Sequence, residues 1–127
     1  MTRASPEDAL QIAVVRLLML QRIEGLAWTA VNPKPFKTRS TAAKSKALGM
    51  KAGFCDLIFI YRGTPFGIEL KAPKAPGQRA GKPSDVQLGM HQYLGNAGCK
   101  VFLAWSVNDV LAALKEMGVP VNARVMA

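Results

Sequence analysis

Apolar and polar positions along this chain change rhythm several times, and each change marks an element. Near the N-terminus Leu10, Val14 and Leu18 recur at helical spacing. Ser5-Pro6-Glu7-Asp8 supplies the start of that helix, with Ser5 as N-cap, Pro6 at the first helical position and Asp8 closing a capping-box-like pair. It is expected to run to about Ile23. Leu26 to Val31 reads as a strand containing Trp28, ended by Asn32-Pro33. Phe54 to Tyr61 and Phe66 to Lys71 are rich in β-branched and aromatic residues and are separated by Arg62-Gly63-Thr64-Pro65, which predicts a hairpin. Ser84-Asp85-Val86-Gln87 starts a further helix whose apolar face is Val86, Met90, Tyr93, Leu94 and Ala97, with Gly98 as its stop. Lys100 to Trp105 is another strand. Ser106 to Asp109 caps a last helix that Gly118 and Pro120 end. Residues 33–53 show no convincing period and read as a mobile loop, and residues 72–83 form a second loop. The order is α-β-β-β-α-β-α, an α/β arrangement in which helices cover a small mixed sheet. No repeat or second domain is evident, and 127 residues suit one domain with one core.

Charge adds a partner to this picture. Seventeen Lys and Arg oppose eight Asp and Glu, a formal net charge of +9, yet half of the residues are hydrophobic, too many for a disordered basic tail. A folded nucleic-acid-binding protein fits both facts. The basic residues are also segregated: Lys34, Lys37, Arg39, Lys44, Lys46 and Lys51 fill the first loop and Lys74, Arg79 and Lys82 the second, with no acid among them. Loop lysines are often only a solvated surface, but separation from every acid favours phosphate contacts. Arg16, Gln21 and Arg22 interrupt the first helix, so it is neither a signal peptide nor a membrane span, and a cytosolic protein is expected. Cys55 and Cys99 match no metal-ligand spacing and read as reduced thiols. His91 stands alone and reads as a surface or packing residue.

The candidate chemistry lies on the hairpin. Side chains alternate faces along a strand, so Glu69 and Lys71 point one way and Leu70 the other, and the antiparallel return brings Asp56 close to Glu69. Two carboxylates beside an ammonium are the groups needed for metal-assisted cleavage of a phosphodiester. An Asp followed thirteen positions later by Glu-x-Lys also arises by chance in basic proteins, and the predicted hairpin is what gives it weight. Glu7 favours the first helical turn electrostatically, but its spacing to Leu10, Val14 and Leu18 turns it toward the core, where a carboxylate meets a cation. Gln87 fits both a capping box with Ser84 and a place beside the site.

Glu7 and Gln11, then Gly53 and Asp56-Leu57-Ile58, then Glu69-Leu70-Lys71, Gln87, Gly98 and Trp105-Ser106 together resemble the restriction-endonuclease-like PD-(D/E)xK nucleases, and most of all the virus-type replication-repair nuclease (VRR-NUC) domain. The resemblance spans roughly residues 5–115, as in a stand-alone minimal version. Cys55 departs from the family's proline before the aspartate, which relaxes the turn but keeps the carboxylate. The resemblance implies a DNA endonuclease in which Asp56, Glu69 and the Leu70 backbone carbonyl hold Mg²⁺ or Mn²⁺. Glu7 would contribute through water or to a second ion, Lys71 would orient the attacking water or offset phosphate charge, and Gln87 would position Lys71 or the phosphate. It further implies branched DNA, including Holliday junctions, cut by a homodimer that supplies two sites. Val107, Leu111 and Met117, or the 119–126 tail, are the candidate dimer surface. A sequence-specific restriction-type enzyme and a non-catalytic basic binding protein are the rival readings.

Overall fold

The computed structural model describes residues 5–31 and 39–122. Ser5 caps helix α1 (Pro6–Gln21) by accepting the Asp8 N–H, and an antiparallel run β1 (Leu26–Ala30), β2 (Leu57–Tyr61) and β3 (Thr64–Leu70) carries most of the sheet. Helix α3 (Asp85–Asn96) connects β3 to β4 (Lys100–Ala104), which is therefore parallel to β3, and α4 (Val107–Glu116) follows. The sheet order is β1-β2-β3-β4. The α/β class and the mixed sheet are as the sequence predicts.

Residues 39–53 depart from the loop expected over 33–53, of which 33–38 lie outside the described residues. They contain helix α2 (Arg39–Ala47), so Lys44 and Lys46 lie in the last turn of a helix, where their charge complements the dipole, and not on a loop. The alanines and lysines of this segment are good helix formers but make no apolar stripe, so helical propensity gives no visible period.

The main core fills one face of the sheet. Leu57, Phe59, Phe66, Ile68, Leu70 and Ala104 meet Leu10, Val14 and Leu18 of α1 and Val110, Ala113 and Leu114 of α4. Phe59 and Phe66 are register partners, and their rings stack with centroids 4.8 Å apart. All residues of β3 from Phe66 to Leu70 are buried, so the opposite face is covered as well. Cys55 covers Gly67 there and α3 covers Glu69, with α3 turned by about one residue from the predicted stripe. Gln87, Met90, His91 and Leu94 are its half-buried positions, whereas Val86 and Tyr93 are each 59% exposed.

The expected dimer surface is also corrected. Val107, Met117 and Val121 pack on the core, Val119 is 2% exposed and Leu111 is half-buried, so none presents a free apolar face. Residues 123–126 lie outside the described residues. Among the described residues no helix is long and apolar enough to cross a membrane.

Candidate metal centre at the hairpin end

Hairpin register creates the centre. The last β2–β3 pair is Leu57 with Ile68, so Asp56 and Glu69 occupy the next level, just beyond the ladder. Asp56 is fixed twice: its carbonyl accepts the Val31 N–H at 2.8 Å, and its Oδ2 accepts the Leu70 N–H at 2.7 Å. Two glycines permit the approach. Gly53 has φ of +79°, and a β-carbon there would lie 2.8 Å from the Val86 carbonyl oxygen at the start of α3. A β-carbon on Gly67 would lie 2.5 Å from Cys55 Sγ. Cys55 is fully buried and donates to the Leu57 carbonyl at 3.4 Å, and burial pushes its thiol up to about 12, so it serves as packing and not as a nucleophile.

Glu69 stands at the middle of a polar network. It is 1% exposed, and its Oε2 accepts from Gln87 Nε2 at 3.0 Å. The Gln87 Oε1 accepts from Lys71 Nζ at 3.1 Å and from the Ser84 N–H at 2.9 Å, while the Ser84 hydroxyl accepts the Gln87 N–H. Two donors on one side and a carboxylate on the other leave a single sensible orientation for the amide. Gln87 is therefore a capping-box residue and a bridge between Glu69 and Lys71 at once. Lys71 is 7% exposed.

Helix α1 brings the third acid. Glu7, Asp56 and Glu69 each offer a carboxylate oxygen within 4.8 Å of the others. Their mutual repulsion is visible in Glu69, whose carboxyl is pushed up to about 9, by burial first, then by the Asp56 charge and a hydrogen bond with the Asp56 carboxyl, with Glu7 adding and Lys71 opposing. The three acids line a cleft of about 220 Å³ together with Ser5, Asp8, Gln11, Leu70 and Gln87. Four of the eight acidic residues of a +9 chain thus face one cleft. Hard oxygen donors in such a cluster fit Mg²⁺ or Mn²⁺, and among the described residues the cleft lining has no His or Cys. Glu7, Asp56 and Glu69 are the residues that would hold the ion, with Leu70 on the cleft wall.

His91 completes the surroundings, and sequence reasoning missed it. Its Nε2 lies 3.6 Å from Glu69 Oε1, its side chain is 11% exposed, and burial lowers its pKa. The available signal was its position four residues after Gln87, which puts both on one helical face.

The basic segments are unequally placed. The 72–83 segment is pinned beside Lys71, since the Gly81 N–H reaches the Ala72 carbonyl at 2.8 Å and Trp105 Nε1 donates to the Gly81 carbonyl at 2.8 Å. Lys74, Arg79 and Lys82 are exposed on it, and Lys44, Lys46 and Lys51 are exposed on and after α2. Lys34, Lys37 and the Arg39 side chain lie outside the described residues.

No family model and no curated protein matches the chain. Among solved structures, one described as a VRR_NUC domain protein is similar over 91% of this chain and 89% of its own, with a TM-score of 0.62 at 20% identity. The chain therefore has the fold of a VRR_NUC domain protein, the restriction-endonuclease-like α/β arrangement that the resemblance implied.

Proposed function

We propose that this chain is a single VRR-NUC-like nuclease domain, a metal-dependent endodeoxyribonuclease that acts on Holliday junctions or other branched DNA as a homodimer. The observation that carries the reading is the acid cluster itself. A protein with more than twice as many basic as acidic residues places half of its acids on one cleft, three of them within 4.8 Å, at an electrostatic cost that a bound divalent cation offsets. The VRR_NUC fold around that cluster supports the same conclusion.

Asp56 and Glu69, with Glu7 and the Leu70 carbonyl, would hold Mg²⁺ or Mn²⁺, which supplies Lewis acidity to a phosphate and lowers the pKa of bound water. The chain does the rest. Lys71, held by Gln87 beside Glu69, orients the attacking water or offsets charge on the pentacovalent phosphorus. Gln87 ties the ammonium and the carboxylate to the start of α3, so both keep their spacing when DNA binds. The exposed lysines and arginine of residues 44–51 and 74–82 meet phosphates of the duplex arms. One acid cluster per chain cuts one strand, and a C2 pair would cut two symmetrically.

Digestion of a four-way junction beside a linear duplex of the same sequence, with Mg²⁺ or with chelator, tests the proposal. Paired nicks in the junction and far slower cutting of the duplex are expected. Cutting at one duplex sequence would favour a restriction-type enzyme, and binding without cutting a non-catalytic protein.

A further inference from the structure

Glu69 has two carboxylate oxygens, and among the described residues Oε1 has no hydrogen-bond partner. Gln87 serves Oε2. The Oε1 atom and the His91 Nε2 atom are both buried, neither makes a hydrogen bond among the described residues, and they face one another at 3.6 Å. Buried polar atoms are nearly always partnered, and a few tenths of an ångström would turn this contact into a hydrogen bond. His91 is not part of the cleft lining, and its contact with that lining is the one to Glu69 Oε1. Helix geometry makes the arrangement rigid. Gln87 and His91 sit one turn apart on α3, and each addresses a different oxygen of the same carboxylate.

We propose that His91 is a positioning residue of the metal centre, donating from Nε2 to Glu69 Oε1 so that Gln87 and His91 together fix the plane of the Glu69 carboxylate for a divalent cation. The proposal rests on the reading of Glu7, Asp56 and Glu69 as a cation site. Partners of ligating carboxylates of this kind commonly change metal affinity by about 10- to 100-fold. A glutamine at this position can place an amide donor near the imidazole Nε2, whereas leucine fills the space without one.

The test is calorimetric binding of Mn²⁺ alone to wild type, His91→Leu and His91→Gln, with thermal midpoints recorded in chelator. His91→Leu is expected to weaken Mn²⁺ binding about 10-fold while keeping a midpoint near that of wild type, and His91→Gln to recover most of the loss. The metal concentration for half-maximal DNA cleavage should shift in parallel. Equal Mn²⁺ affinity in wild type and His91→Leu overturns the proposal alone. If His91→Leu does not fold, His91→Gln decides: near-wild-type affinity supports the donor role, and a 10-fold loss overturns it. Absence of Mn²⁺ binding by wild type overturns it together with the cation site. His91-dependent Mn²⁺ binding without DNA cleavage upholds the proposal and removes the nuclease reading.

Discussion

Glu69 is buried among like charges, so the metal-free protein carries a conflict that can be measured. Its carboxyl ionises near 4.5 in the unfolded chain and only at about 9 in the folded one. A raised folded pKa means that this stabilising contribution is complete below pH 4.5, shrinks as pH rises, and is gone above about 9. Metal-free wild type should therefore unfold at lower urea concentration at pH 8.5 than at pH 5, and Glu69→Gln should remove much of that difference. An equal pH dependence in the variant would show that Glu69 is not the strained group. Added Mg²⁺ should raise the wild-type midpoint at pH 8.5 and leave Glu69→Gln unmoved. Gln87 makes a second residue-scale case. Gln87→Ala removes the N3 partner of the capping box and leaves buried Glu69 and Lys71 without it, a loss of about 1–3 kcal/mol, and cleavage should fall by far more than that. Lys71→Ala should fold and lose on the order of 10²-fold or more in the rate at saturating DNA.

At the scale of elements, the hairpin and its glycines set the geometry. Gly67 is small because Cys55 Sγ occupies the place of its missing β-carbon. Gly67→Ala alone should destabilise by about 1–3 kcal/mol through overpacking, and Cys55→Ala should relieve part of that in the double variant. Strict additivity in a urea double-mutant cycle would contradict this pairing. The hairpin was legible in sequence because β-branched runs and a turn signal coincide there, and its register then placed Asp56 beside Glu69 without further information. Helix α2 was not legible, since RSTAAKSKA has propensity but no apolar stripe. The face of α3 was misjudged for a related reason. Apolar spacing favoured Val86 and Tyr93, whereas the buried side carries Gln87 and His91, whose polar groups are satisfied or addressed by Glu69 and Lys71. Periodicity assigns polar residues to solvent, and a buried polar site inverts that assignment.

For the whole molecule, charge and fold divide the work. Half of the acids gather at the cleft while exposed Lys44, Lys46, Lys51, Lys74, Arg79 and Lys82 remain available to phosphates. Neutralising any of these that contacts DNA should flatten the slope of log affinity against log salt by about one unit per lost contact, with little change in the rate at saturating DNA. An unchanged slope would return those residues to a solvated surface. Sedimentation at micromolar concentration should find a dimer, free or on a four-way junction, and a monomer in both states would remove the paired-site model. If Glu7, Asp56 and Glu69 form a divalent-metal centre for phosphodiester cleavage, a Mg²⁺ titration of junction cleavage by wild type and Glu69→Ala will read it out. Wild type should not cleave in chelator and should be activated saturably by Mg²⁺, and a folded Glu69→Ala should be inactive at any Mg²⁺ concentration. Cleavage by Glu69→Ala at the wild-type rate, or wild-type cleavage in chelator, would contradict such a centre.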